Sequence, residues 1–146
     1  MDFDEFVMQV EPGLRRALCG HMPIDAVPDA LGEAFAFAWE HWDEVSAMDR
    51  PGGYLFRVAQ SRSRRRMAGL LPLTAIDGAP LVEPGLGRAM RRLPERQRSV
   101  VWLVHACGWT YAESAEALGI SASAVGTHVA RGLARLRAEL GVEIDA

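Results

Sequence analysis

All sixteen basic residues of the 146-residue chain are arginine; lysine is absent. A guanidinium offers a planar fork of five donors that meets phosphate oxygens and base edges in pairs, whereas an ammonium acts as a point charge. The arginines are also clustered. Residues 50–66 hold six of them and no acid, residues 88–98 hold five against Glu95, and residues 129–137 hold three. Residues 1–49 carry eleven acids against two arginines, so the formal net charge of −3 conceals one acidic stretch and three basic ones. Solvated helix faces paired with nearby acids would explain any single stretch. The recurrence on short segments points to nucleic acid.

Other reactive residue types lead nowhere comparable. Cys19-Gly20-His21 and His105-Ala106-Cys107 supply four ligand types that zinc accepts, but neither pair has the usual spacing of a zinc site. Two cysteines cannot form the disulfide framework of a small secreted scaffold. No phosphate-cradling glycine loop, nucleophile elbow or pair of catalytic acids stands in the context its chemistry needs, so catalysis and cofactors are not expected. Apolar residues at 49% and charged residues at 24% exclude a disordered chain or a coiled-coil rod. No apolar run approaches the roughly 20 residues of a membrane helix. The start, Met1-Asp2-Phe3-Asp4-Glu5, is acidic where a secretory signal is basic, which predicts a cytoplasmic protein.

The elements that must carry the arginines read as helices throughout. Phe3, Phe6, Val7, Val10, Leu14, Ala17 and Leu18 form one apolar stripe, with Pro12 predicting a kink or restart. Leu31, Phe35, Ala38, Trp39, Trp42 and Val45 form a second. Gly52-Gly53 precede a third helix, from Tyr54 to about Met67, whose apolar face is Leu55, Val58 and Ala59 and whose remainder is largely arginine. Residues 69–87 hold four glycines and three prolines without a clean period, the composition of a flexible linker. The expected architecture is therefore all-α: a helical domain over 1–68, a linker over 69–87, and a second helical domain over 88–146.

The second domain has the sharper signature. Residues 88–93 read as a brief helix, and Pro94 suits the first turn of the next, which runs to Cys107-Gly108. Thr110 followed by Glu113 is a capping box opening a helix that stops at Leu118-Gly119. Ser121 caps a last helix with a buried stripe of Val125, Val129, Leu133, Leu136 and Leu140. Helix, three-residue turn, helix is the spacing of a helix-turn-helix, although two crossing helices also serve as plain packing. The period turns Ala122, Ser123, Gly126, Thr127, His128, Ala130 and Arg131 outward. In a helix-turn-helix that face enters the major groove, with Ser123, Thr127 and His128 at base edges and Arg131 and Arg135 at phosphates.

These residues also resemble a family. LPERQRSVVWLVHACGWTYAESAEALGISASAVGTHVARGLARLR is similar to the fourth conserved region of bacterial sigma factors of the extracytoplasmic-function group. The matches are Leu93-Pro94, Arg96, Arg98, Gly108, Thr110-Tyr111, Glu113, Leu118-Gly119, Ser121, Arg131 and Leu136-Arg137. PDALGEAFAFAWEHW resembles the second conserved region, with Asp29 and Glu33 four apart ahead of an aromatic-rich helix. PGGYLFRVAQSRSRRR resembles that region's next helix through Tyr54, Leu55, Arg57, Val58 and Ala59.

The resemblance implies a two-domain initiation factor. Asp29 and Glu33 would meet the clamp helices of the RNA polymerase β′ subunit. Trp42, Tyr54, Arg57, Arg62, Arg64, Arg65 and Arg66 would engage the −10 element, with the loop 43–53 holding an unstacked base. Thr110, Tyr111, Ser123, Gly126, Thr127, His128 and Arg131 would bind the −35 element beside the β flap. Promoter DNA and core polymerase are the implied partners, an anti-sigma factor a further one. The chain departs from the family pattern at Gly32, Phe37, Glu40 and His41, and at Ala124-Val125-Gly126-Thr127-His128, where Thr-Val-Lys-Ser-Arg is common. Two rivals are a helix-turn-helix regulator that never engages polymerase and a sigma-like decoy that never opens promoters.

Overall fold

The computed structural model describes residues 1–62 and 85–141, and among these residues every regular element is helical. Helix α1, Phe3–Cys19, starts at Asp2, whose carboxylate accepts the Glu5 N–H at 2.8 Å. It buries Phe6, Leu14, Ala17 and Leu18, and it continues as one helix through Pro12, so of the expected kink or restart the restart does not occur. Pro12 lies on the exposed side of α1, where water can take the carbonyl that its missing N–H leaves behind.

A single 3-10 turn, Ile24–Ala26, leads into α2, Val27–Glu40, which buries Val27, Ala30, Leu31, Ala34 and Ala38. The small residues of that stripe let α1 and α4 pack closely on it. The stretch expected as a loop over 43–53 is mostly helix. A four-residue turn, α3, spans Trp42–Val45, and α4 begins at Pro51 rather than Tyr54 and is described to Arg62. Proline pre-sets the backbone angle of a first helical turn, which explains the earlier start. The arginines at 64–66 and residues 69–84 of the predicted linker lie outside the described residues, whereas its last two residues, Leu86 and Gly87, already belong to the next helix.

The C-terminal half begins with α5, Leu86–Arg92, and α6, Glu95–Val101. The chain widens into a π-helical turn, Trp102–Ala106, before Gly108 at φ 71° redirects it. Helices α7, Tyr111–Leu118, and α8, Ala122–Leu140, complete the fold. Five buried residues of α6 and the following turn, Val100 to Leu103 with Ser99, face α8 and the N-terminal half.

The two halves share one hydrophobic core, and among the described residues the most extensive helix–helix packing joins α4 to α7 across them. Phe56 of α4 meets the Trp109 ring edge-on at 5.8 Å. The Trp102 indole lies against the end of α1, its Nε1–H donating to the Arg16 carbonyl at 3.2 Å. Two close approaches set this seam. A Cβ at Gly20 would fall 2.2 Å from the Trp102 indole, and one at Gly53 would fall 2.7 Å from the Glu113 carbonyl. The Cys107 thiol sits beside Arg16 and Cys19, and burial pushes it up to about 12 against the opposing pull of the Arg16 charge.

Candidate nucleic-acid interface

The helix-turn-helix is built by local chemistry. Thr110 has extended backbone angles; its hydroxyl accepts the Glu113 N–H at 3.0 Å, and the Glu113 carboxylate accepts the Thr110 N–H at 3.1 Å. Gly119 closes α7 at φ 67°, a left-handed conformation that costs glycine nothing, with its N–H bonded to the Ala115 carbonyl. Ile120 adds a second bond to Ala115 at 3.2 Å. Ser121 then starts α8 by accepting the Ala124 N–H at 3.0 Å. Val125, Val129 and Leu136 face inward as expected, with Leu133 and Leu140 half-buried.

On the opposite face Ser123, Thr127, Ala130 and Arg131 are exposed together. The Thr127 hydroxyl donates to the Ser123 carbonyl at 3.2 Å, which leaves its lone pairs turned outward as acceptors. Tyr111 joins this surface from α7: it is 44% exposed, and its Cε2 lies 3.3 Å from where a Cβ on Gly126 would stand. The tyrosine ring thus covers the position at which the resembled pattern has lysine and this chain has Gly126. His128 is half-buried, and its Nδ1 is enclosed without a hydrogen-bond partner.

The arginines of 88–98 are used differently from the expectation. Arg92 pairs with Glu139 at 2.8 Å, Arg96 donates to the Leu118 carbonyl at 3.3 Å, and Arg98 donates to the Arg91 and Leu93 carbonyls at 3.3 and 3.5 Å. Partial burial lowers the Arg98 pKa, with Glu95 opposing. The Arg96 and Arg98 guanidinia close the C-terminal ends of α7 and α5, where helix carbonyls lack partners. Composition alone could not separate this duty from phosphate binding.

In the N-terminal half, Arg57 and Arg62 flank an aromatic ladder. The Arg57 guanidinium lies 5.6 Å from the Tyr54 ring centroid and that of Arg62 lies 5.4 Å from Phe37, while Phe37 and Tyr54 are 5.9 Å apart. Phe37 also stacks on His41 at 4.1 Å, so two departures from the family pattern form one contact. Trp42 stands apart from this ladder, half-buried and edge-on to Phe3 at 5.4 Å and Phe6 at 5.1 Å against the core of the half. Asp29 is exposed and Glu33 half-buried one turn further along α2, with Gly32 beside them facing open space. Arg57 also reaches across the seam to Glu116 of α7, 3.2 Å away. Sequence reasoning missed this pairing because 59 residues separate the two.

The described residues therefore define a helix-turn-helix protein with an acidic α2 and an arginine-bearing α4 in a second helical half. The family described as Sigma-70, region 4 matches residues 85–136. An RNA polymerase sigma-E factor of Streptomyces antibioticus is 32% identical over all of this chain and 89% of its own length. That of Streptomyces coelicolor is 32% identical over 96% of this chain and 86% of its own. Among solved structures, CnrH in complex with the cytosolic domain of CnrY superposes with a TM-score of 0.73 at 23% identity, covering 97% of this chain and 89% of that one. RpoE in complex with the anti-sigma factor NepR from Bartonella quintana gives 0.70 at 21% identity, covering 98% and 99%. The chain belongs to the sigma-70 family of RNA polymerase sigma factors, in its extracytoplasmic-function group.

Proposed function

We propose that the chain binds core RNA polymerase and directs it to promoters, with α8 and Tyr111 reading the −35 element and the α4 ladder engaging the −10 element. The carrying observation is the capped helix-turn-helix, Thr110 to Arg131, in one chain with the acidic α2 and the arginine-bearing α4. Asp29 and Glu33 present negative charge to the basic clamp helices of β′; the C-terminal half meets the β flap. Tyr54, Trp42, Arg57, Arg62 and the arginines 64–66 favour melted −10 DNA. Opening a promoter needs no catalytic residue: it needs tighter binding to the single strand than to the duplex, since binding shifts an equilibrium only by its difference between states. The site of action is the cytoplasm, where no membrane-spanning helix is required, and none occurs among the described residues.

The reading requires the two halves to part. Elements named for −10 and −35 lie about 25 base pairs apart, roughly 85 Å of duplex. In the structure Arg57 touches Glu116, which is only about 7.5 Å of helix rise from Tyr111. The described arrangement is the closed form of a protein that works extended.

Reconstituted transcription tests the proposal. Purified chain with core polymerase is expected to give promoter-specific transcripts and permanganate-reactive thymines at the −10 element. Operator-like DNA binding with no transcripts would replace it with the regulator reading.

A further inference from the structure

We infer that the seam between the halves is a latch released by protons, with His21 as its sensor. The inference rests on the closed form described above and not on any contact with DNA or polymerase.

His21 follows α1 directly and is the point where the end of that helix meets α6. Its Nδ1 lies 2.9 Å from the Ala17 carbonyl, which can only accept, so Nδ1 carries the proton. Its Nε2 lies 3.0 Å from the hydroxyl of Ser99, a buried residue of α6, and in the neutral ring Nε2 accepts from that hydroxyl. Phe56 of α4 stands edge-on to the ring at 4.9 Å. Three elements from both halves thus converge on one imidazole.

The ring is enclosed but reachable. It lines a cavity of about 580 Å³ between the halves, together with Phe56, Arg57, Glu95, Arg96 and Leu118, and this cavity is partly open to solvent. The charges around it are mostly positive. Helix α4 contributes Arg57, α6 contributes Arg96 and Arg98 against Glu95, and α7 contributes the apolar Ala117 and Leu118, its Glu116 being held by Arg57. A second proton on His21 adds a cation to a site whose three guanidinia, one of them paired with Glu116, outnumber its two carboxylates. The Ser99 hydroxyl can turn to accept from a protonated Nε2, so the penalty falls on charge rather than on the hydrogen bond.

The sign follows. Burial, with Arg98 acting in the same direction, lowers the closed-state imidazole from 6.5 to about 4, while the Ala17 carbonyl and Glu95 oppose. Once the halves part, the ring returns to about 6.5. The latch is at full strength above that value and weakens as pH falls through it toward 4, by nearly tenfold per unit. Between pH 7.5 and 5.5 the opening equilibrium shifts about tenfold toward the extended form.

Small-angle scattering of the full chain at pH 7.5 and 5.5, with far-UV circular dichroism on the same samples, tests this. Wild type is expected to expand at pH 5.5 with its helicity kept, and His21→Gln is expected to show no such pH response. Ser99→Ala, which leaves the imidazole titratable, is expected to open more at both pH values while keeping the response. A proton NMR titration of the His21 ring in wild type is expected to show a midpoint displaced well below 6.5. A wild type equally compact at both pH values, or His21→Gln expanding as wild type does, overturns the latch. A chain that opens with acid yet starts no transcripts defeats the proposed function and leaves the latch standing.

Discussion

At the scale of single residues, the face of α8 opposite its buried stripe is low. Ser123, Gly126, Thr127 and Ala130 project little, and the ring beside Gly126 comes from α7 as Tyr111. On the proposed −35 reading, base-edge contacts on this face would fall to Thr127 and His128, with Arg131 at phosphate. Replacing Thr127 and His128 together by alanine is expected to alter −35 sequence preference, by about 1–3 kcal/mol at the base pair each contacts, while core binding is unchanged. A selection profile on randomised −35 DNA, beside a polymerase pull-down, reads both; an unaltered profile removes the pair from the readout. Of the outward set, Ala122, Ser123, Thr127, Ala130 and Arg131 are exposed as helical period and a local cap predict, whereas Gly126 and His128 are half-buried. The placement of Tyr111 on Gly126 was not legible beforehand, since nothing in the spacing of two helices says how their side chains interleave.

At the scale of elements, the sequence was read well wherever the determinants are local. The Thr110–Glu113 capping box, the Gly119 turn and the Ser121 cap all occur at the residues whose types announced them. Thr110→Ala removes one arm of that box and leaves the Glu113 N–H without its acceptor. The expected cost is about 1 kcal/mol, measured as a lower urea midpoint at unchanged slope. Elements decided by distant contacts were read less well. Pro12 breaks a helix on propensity alone, yet the burial of Phe6, Leu14 and Leu18 on either side carries α1 through it. The α3 turn owes its place to Trp42 packing on Phe3 and Phe6, residues nearly forty positions away. The arginines of 88–98 looked like a phosphate surface because composition cannot show that backbone carbonyls of α5 and α7 receive three of their bonds.

At the scale of the whole molecule, the seam between halves was the least legible feature. Leu55, Phe56, Trp102 and Trp109 read as core residues of their own helices, and no period distinguishes a face buried within one half from a face buried against the other. Glycine marks the seam instead. Gly53 leaves α4 close enough to α7 that a Cβ would press on the Glu113 backbone, which cannot swing aside as a side chain can. Gly53→Ala is therefore expected to favour the extended form at neutral pH with each half still folded. Scattering would register expansion at pH 7.5, and a compact Gly53→Ala chain would show that the two helices can slide apart without parting.

Trp102 and Trp109 are 6% and 9% exposed in the described arrangement, where each packs across the seam, Trp102 on the end of α1 and Trp109 on Phe56. Unfastening them lays greasy surface bare to water, at about 25 cal/mol for each Å² uncovered. A released chain is consequently adhesive, and whichever host catches it must either shelter those indoles or outbid their pull back toward each other.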